Sequence, residues 1–147
     1  MKQAIQTLIQ LQRLRESTVK ASTVALARQQ QVVTRYENTI QALGQLVQRT
    51  RTEELPDFCA QTLSNIAGYK NNLLRVVKWQ EQEKALADIQ AQQLQRNLMQ
   101  AACQEKIVAL TLDDQQGKNS REQASREQKE VDDIATQCWL RTQHLEE

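Results

Sequence analysis

Counting alternately three and four residues from Ile5 reaches Leu8, Gln12, Arg15, Val19, Ser22, Leu26, Gln29, Val33, Tyr36, Ile40, Leu43 and Val47. Nine of these thirteen positions are apolar or Tyr. A 3.5-residue apolar repeat is the seam of a helix packed lengthwise on another helix. It predicts a first helix over about residues 4–51. The same count runs through Cys59, Leu63, Ile66, Lys70, Leu73, Val77, Gln80, Lys84, Ala87, Ala91, Leu94, Leu98, Ala101, Glu105, Val108 and Leu112. It predicts a long second helix over about 58–143. Gln12, Arg15, Ser22 and Gln29 interrupt the first seam, and Lys70, Gln80, Lys84 and Glu105 the second. Such polar positions lower stability and leave a helix able to accept another partner.

Between the two seams stands Glu54-Leu55-Pro56-Asp57, with the only proline of the chain. Pro56 has no N–H to donate and pushes Leu55 out of the helical region. Asp57 is suited to cap the helix that follows. A turn over about 52–57 therefore predicts an all-α, antiparallel two-helix coiled-coil hairpin, one domain spanning 1–147. With three Gly and 3% aromatic residues, the chain has few turn formers and few bulky core residues for a compact globule. Its 25 Gln, with many Ala, Leu, Arg, Lys and Glu, are helix formers instead. Disorder is the competing reading of so polar a composition. The regular repeat and 39% apolar content argue against it.

A reversal near residue 54 would set Ile5 opposite about residue 103, since both arms rise ~1.5 Å per residue. The arms would then be about 70 and about 130 Å long, and residues beyond about 110 would lack an intramolecular partner. The seam does turn polar there, at Asp113-Asp114-Gln115-Gln116-Gly117. Gly117 followed by Ser120-Arg121-Glu122-Gln123 could end one helix and cap another. The preferred reading is one uninterrupted helix, because an isolated Gly is tolerated. An apolar stripe returns at Val131, Ile134, Cys138 and Leu145. An overhanging amphipathic stripe is a docking surface.

Net charge is +1, but it is unevenly spread. Residues 1–52 carry 8 Lys/Arg against 2 Asp/Glu, 53–112 carry 6 against 7, and 113–147 carry 5 against 9. A basic arm and an acidic tail suit steered contacts with protein partners. A basic arm could also touch anionic lipid or nucleic acid, but its charges are scattered and form no run of about four to eight Lys/Arg. Cys59, Cys103 and Cys138 are odd in number and lack CxxC spacing, which suggests neither a disulfide framework nor a zinc site. They read as reduced thiols, which suits the cytosol. The segment Met1-Lys2-Gln3-Ala4-Ile5-Gln6 does not read as a secretory signal, and no stretch approaches a membrane span.

No catalytic constellation is visible, and an enzyme is not expected. His144 is the single histidine, close to the C-terminus and solvated. Neither GxxxxGK[ST] nor GxGxxG occurs, so nothing cradles phosphate. The pairs Glu53-Glu54, Asp113-Asp114 and Asp132-Asp133 read as solvated charge, because acid–base work needs a water-excluding pocket that two helices do not build. No cofactor, metal, nucleic acid or small-molecule substrate is expected. Trp79 reads as a cover beside the seam or as a partner hot spot. Trp139, in the overhang, reads as a hot spot.

Three segments carry a family resemblance. One is Gln29, Val33, Tyr36 and Ile40. The second is Ile66-Ala67-Gly68-Tyr69-Lys70-Asn71-Asn72-Leu73, leading through Val76 to Gln80. The third is Arg126-Glu127-Gln128-Lys129-Glu130-Val131-Asp132-Asp133-Ile134-Ala135, similar to a C-terminal run of basic and Gln residues before a paired acid. With the chain length and the two-helix layout they resemble the FliJ family, the cytoplasmic stalk component of bacterial flagellar type III protein export, and its relatives in virulence secretion. The resemblance implies a non-enzymatic protein of motility and flagellum biogenesis. It implies a stalk inserted into a hexameric export ATPase, promoting its assembly, coupling it to the membrane export gate and escorting export chaperones. The implied place is the cytoplasm, peripherally at the inner membrane. The positions matching the family's gate contacts are Gln29, Val33, Tyr36, Ile40, Tyr69, Leu73, Val76 and Gln80. Contact with the ATPase ring is expected from Ile5, Leu8, Val131, Ile134, Cys138 and Trp139. Ile40 and Leu98 stand where the family often has aromatic residues, and the segment between the arms looks longer. These departures admit a lateral-flagellar or virulence-type relative. The alternative reading is a generic dimeric coiled-coil adaptor or structural rod.

Overall fold

The computed structural model describes residues 2–50 and 60–145. Two helices account for nearly all of them: α1, Lys2–Arg49, with 48 residues, and α2, Ala60–Gln143, with 84. They pack against each other as an antiparallel pair, and no strand occurs among the described residues. α1 closes on Thr50, whose N–H and hydroxyl both donate to the Leu46 carbonyl at 3.0 and 2.6 Å. The expected turn at 52–57, with Pro56 and the Asp57 cap, lies outside the described residues, as does Cys59.

The 3-4 count locates the inner face of α1 throughout. All thirteen positions from Ile5 to Val47 are part-buried, the polar ones included. On α2 every described position of the count from Ile66 to Leu112 is part-buried or buried, and the seam runs on through Gln115 to Asn119. Leu63 was expected in it and is instead exposed.

Burial is shallow. Only Ala87, Ala101 and Leu112 are buried among the described residues. Two helices alone can cover only a narrow stripe of each other, so flanking side chains keep one side in water. Small residues at Ala87, Ala91 and Ala101 leave room for long polar side chains to reach across.

Cα packing divides the chain into two compact units, Met1–Thr18 with Ala102–Glu147, and Val19–Ala101. In the second unit the Gln29 amide (Nε2) donates to the Ala87 carbonyl and to Gln90 Oε1, both at 3.1 Å. Lys84 Nζ meets Glu37 Oε1 at 3.2 Å. In the first unit Arg15 Nη1 donates to Gln104 Oε1 at 2.6 Å. The Arg15 Nε beside it is buried with no hydrogen-bond partner. Leu112 is the one large side chain buried among the described residues.

These pairs correct the expected register. Arg15–Gln104 and Gln29–Gln90 are each centred midway between 59 and 60, and Glu37–Lys84 lies within one residue of that. Ile5 therefore faces about residue 114 rather than 103, at equal rise on both helices. Leu8 stands level with Leu112. The unpartnered stretch begins after Asn119 rather than near 110, and residues 120–145 are all exposed.

α2 runs through Gly117 without a break. A helical Gly costs only about 1 kcal/mol relative to Ala. Its neighbours favour the helix, and Lys118 Nζ meets Asp114 Oδ2 one turn back at 2.8 Å. An acid four residues before a Lys is the favourable order on a helix.

Candidate protein-docking surfaces

The expected gate positions all lie in the unit Val19–Ala101, but they do not share a face. Val33, Tyr36, Ile40, Leu73 and Gln80 belong to the seam and point at the other helix. Gln29 is engaged there through its amide. Tyr69 and Val76 are exposed. The two sets are also staggered: in the observed register Ile40 and Gln80 are level, and the remaining positions extend from there in opposite directions along the pair. The middles of the two sets stand roughly 15 Å apart at 1.5 Å per residue. The shared 4-3-4 spacing follows from the seam itself, which is why it gathers inward residues more than outward ones.

The expected ring positions lie in the unit Met1–Thr18 with Ala102–Glu147. Ile5 and Leu8 are part-buried in the seam, near the level of residues 111–114. Val131, Ile134, Cys138 and Trp139 are exposed on the stretch beyond Asn119. About 17 residues of helix, roughly 25 Å, separate the two groups. Val131, Ile134, Cys138 and Leu145 follow the 3-4 count with Arg141 between the last two, but they do not continue the seam's phase. Extended past Asn119, the seam would pass through Glu122, Arg126, Lys129, Asp133, Thr136 and Leu140. Val131 falls two residues from Lys129, about 200° around the helix at 100° per residue. The apolar stripe of the free stretch thus faces away from the side on which α1 packs. Leu140 lies on the extended seam line and Trp139 between the two lines, so the last turns are apolar around much of their girth.

Sequence reasoning missed a second surface. On the outward side of α2 in the unit Val19–Ala101, Trp79, Leu86, Ile89 and Met99 are each more than half exposed. The 3-4 count, begun at Arg75 rather than at Ile66, runs Arg75, Trp79, Gln82, Leu86, Ile89, Gln93 and Arg96. That was the available signal. Trp79, read as a cover beside the seam or as a partner hot spot, is 57% exposed and so is available to a partner.

Cys103 and Cys138 are free and exposed. Among the described residues no cluster of His, Cys, Asp or Glu could hold a metal, and no helix is long and apolar enough to cross a membrane. The surface depressions are open furrows along the helices. One is lined by Lys2, Asn119, Glu122, Gln123 and Arg126 where α1 begins, another by Asn71, Leu74, Arg75, Val77, Lys78 and Glu81. Neither encloses a reactive group against water.

No match emerges from comparison with the curated proteins or with the solved structures. The flagellar FliJ protein family is matched over residues 3–144, which takes in both helices and the whole antiparallel seam. The match covers nearly the whole sequence, and the chain is a member of the FliJ family of flagellar proteins.

Proposed function

We propose that this chain is a non-enzymatic stalk and escort protein of the flagellar type III export apparatus. Its free stretch enters the hexameric export ATPase, promotes assembly of that ring and couples it to the export gate. Export chaperones are further partners. It works in the cytoplasm, held peripherally at the inner membrane by the apparatus, and needs no cofactor. The observation that carries the reading is the helix beyond Asn119, exposed throughout, with Val131, Ile134 and Trp139 more than half exposed. A long helix that keeps its apolar stripe in water gains free energy by burying it in a partner. Trp139 is the residue type that anchors such contacts.

Support for the gate contact is narrower. Tyr69 and Val76 are within direct reach of a partner. Val33, Tyr36, Ile40 and Leu73 act through the shape of the pair, because the seam covers their inward sides. The intramolecular pairs Gln29–Gln90 and Arg15–Gln104 favour a self-contained hairpin over an obligate parallel dimer.

The test is capture of the cognate hexameric ATPase and of the gate's cytoplasmic domain by the purified chain, with ATPase stimulation as a second readout. Val131→Glu with Ile134→Glu should abolish ATPase binding while leaving the melting transition in place, since neither side chain is packed. Binding of the wild-type chain to neither partner would sink the proposal.

A further inference from the structure

The outward side of α2 between Asn71 and Gln100 carries a second apolar line with charge of one sign. Trp79, Leu86 and Ile89 are 57, 56 and 62% exposed, at the 3-4 spacing that packs helix on helix elsewhere in this molecule. Arg75 and Lys78 stand at one end of the line and Arg96 at the other. No acid stands on the line itself, and the nearest is Glu81, which lines one furrow with Arg75 and Lys78. Glu81, Glu83 and Asp88 all lie on the flanks nearer the α1 seam, and Glu83 and Asp88 are part-buried there. Arg75, Lys78 and Arg96 form no ion pair among the described residues. The surface is therefore apolar along its middle and cationic at both ends over about 21 residues, roughly 32 Å of helix.

We infer that this face docks an amphipathic α-helix of another protein whose apolar stripe is flanked by Asp and Glu. Three features single out that occupant. The line keeps heptad spacing, which holds it straight along a partner helix over three heptads, about six helical turns. The cations at its two ends form no ion pair among the described residues, so an acidic helix gains both steering and pairing. The line also includes the amides of Gln82 and Gln93. A helix–helix seam accommodates amides, as Gln29 does against Ala87 here, whereas an acyl-chain surface offers them no partner. Trp79, 57% exposed, supplies a large aromatic anchor of the type enriched in such contacts. The surface shares no residue with the stretch Val131–Trp139, so it stands or falls separately from the ATPase contact.

The probe is a labelled three-heptad peptide with Leu at the two seam positions and Glu at the flanking ones, which repels its own copies. Its twin carries Lys in place of Glu. Fluorescence polarisation with the full-length chain at low salt should show the Glu peptide binding at least tenfold more tightly than the Lys twin. Leu86→Gln with Ile89→Gln should weaken it at least tenfold, with circular dichroism and melting unchanged because both residues are already in water. Arg75→Glu with Lys78→Glu and Arg96→Glu should invert the preference between the two peptides. Equal binding of both peptides, or binding indifferent to these substitutions, would overturn the proposal. So would Leu86-dependent capture on vesicles with one-third phosphatidylserine, which assigns the face to membrane. A self-associated species in sedimentation that Leu86→Gln and Ile89→Gln dissolve would assign it to a second copy instead, and would overturn it too.

Discussion

Leu112 and Leu110 are two residues apart on one helix, and the two candidate registers assign them different fates. With the reversal near residue 54, Leu112 falls beyond the last partner on α1, and both leucines are equally dispensable. In the observed register Leu112 is level with Leu8 and 7% exposed, while Leu110 is 58% exposed. Leu→Ala removes the equivalent of three methyl or methylene groups, each worth about 0.8 kcal/mol when fully buried. Scaled by burial, Leu112→Ala should cost roughly 2 kcal/mol. Little cavity penalty is added, because a seam two helices wide lets water or neighbouring side chains fill the gap, which places the value at the low end of core leucine truncations. Leu110→Ala should cost under about 0.5 kcal/mol, as exposed substitutions do. Urea unfolding followed by helix ellipticity gives the two values, and amide exchange over residues 108–119 reads the local opening directly. Leu8→Ala combined with Leu112→Ala should cost less than the two separately, since each removes the same contact. Equal, small effects of Leu112→Ala and Leu110→Ala, or strict additivity with Leu8→Ala, would refute the register.

Three further outcomes follow from the same geometry. Gly117→Ala should stabilise by about 0.5–1 kcal/mol in thermal or urea melts, because a Cβ there meets nothing within 4 Å and Gly is the poorer helix former. The Glu37–Lys84 pair is 32 and 52% exposed on its Lys and Glu sides, so a double-mutant cycle should return a coupling of about 0–1 kcal/mol that fades in high salt. Gln29→Ala should cost about 1–2 kcal/mol by equilibrium unfolding through its two hydrogen bonds, whereas Gln29→Leu should recover most of that loss by burying apolar area.

What the sequence discloses is the face of each helix, and what it withholds is how the two faces are aligned. Every position of the 3-4 count from Ile5 is inward on α1, with Leu11, Ala25 and Val32 part-buried beside it, because packing along a shared axis demands that periodicity wherever the partner lies. Alignment is a different quantity. Two apolar heptad arrays fit one another nearly as well when shifted by whole repeats, so Val33, Leu43 or Leu94 carry almost no information about which shift is taken. Pro56 marks a reversal only to within the length of the connection around it, and an error of five residues at the reversal becomes about ten along the arms. The polar interruptions hold the missing information. Gln12, Arg15, Ser22 and Gln29 read as weak points of the seam when each helix is considered alone. Paired across it, Arg15 finds Gln104, and Gln29 finds both the Ala87 carbonyl, open because alanine is short, and Gln90. A shift by one heptad would break these hydrogen bonds, which are exposed or part-buried and worth about 0.5–1.5 kcal/mol each. The same residues that cost the seam stability therefore select its register, as a buried polar position does in a coiled coil.

The docking surfaces were legible to different degrees for the same reason. The stripe from Val131 to Cys138 could be read because no partner seam competes with it in the sequence. The gate positions on α2 mix two lines: the 3-4 count passes through Leu73 and Gln80 and skips Tyr69 and Val76, so the split between inward and outward members was legible once the 4-3-4 set was laid over the seam. The line through Trp79, Leu86 and Ile89 was hidden by the seam beside it. Both lines repeat at 3.5 residues, and a single count started on the stronger one passes over the other. Gln29→Leu tests how closely register and docking are linked. The substitution should keep the hairpin nearly as stable while removing its clearest alignment contacts. Cross-linking between cysteines placed at the level positions 19 and 101, which keeps Arg15–Gln104, with the native cysteines replaced by serine, should then fall as shifted pairings become populated, and ATPase capture by the free stretch should weaken with it. Unchanged cross-linking in Gln29→Leu would show that the apolar seam alone sets the alignment and that the polar pairs merely accompany it.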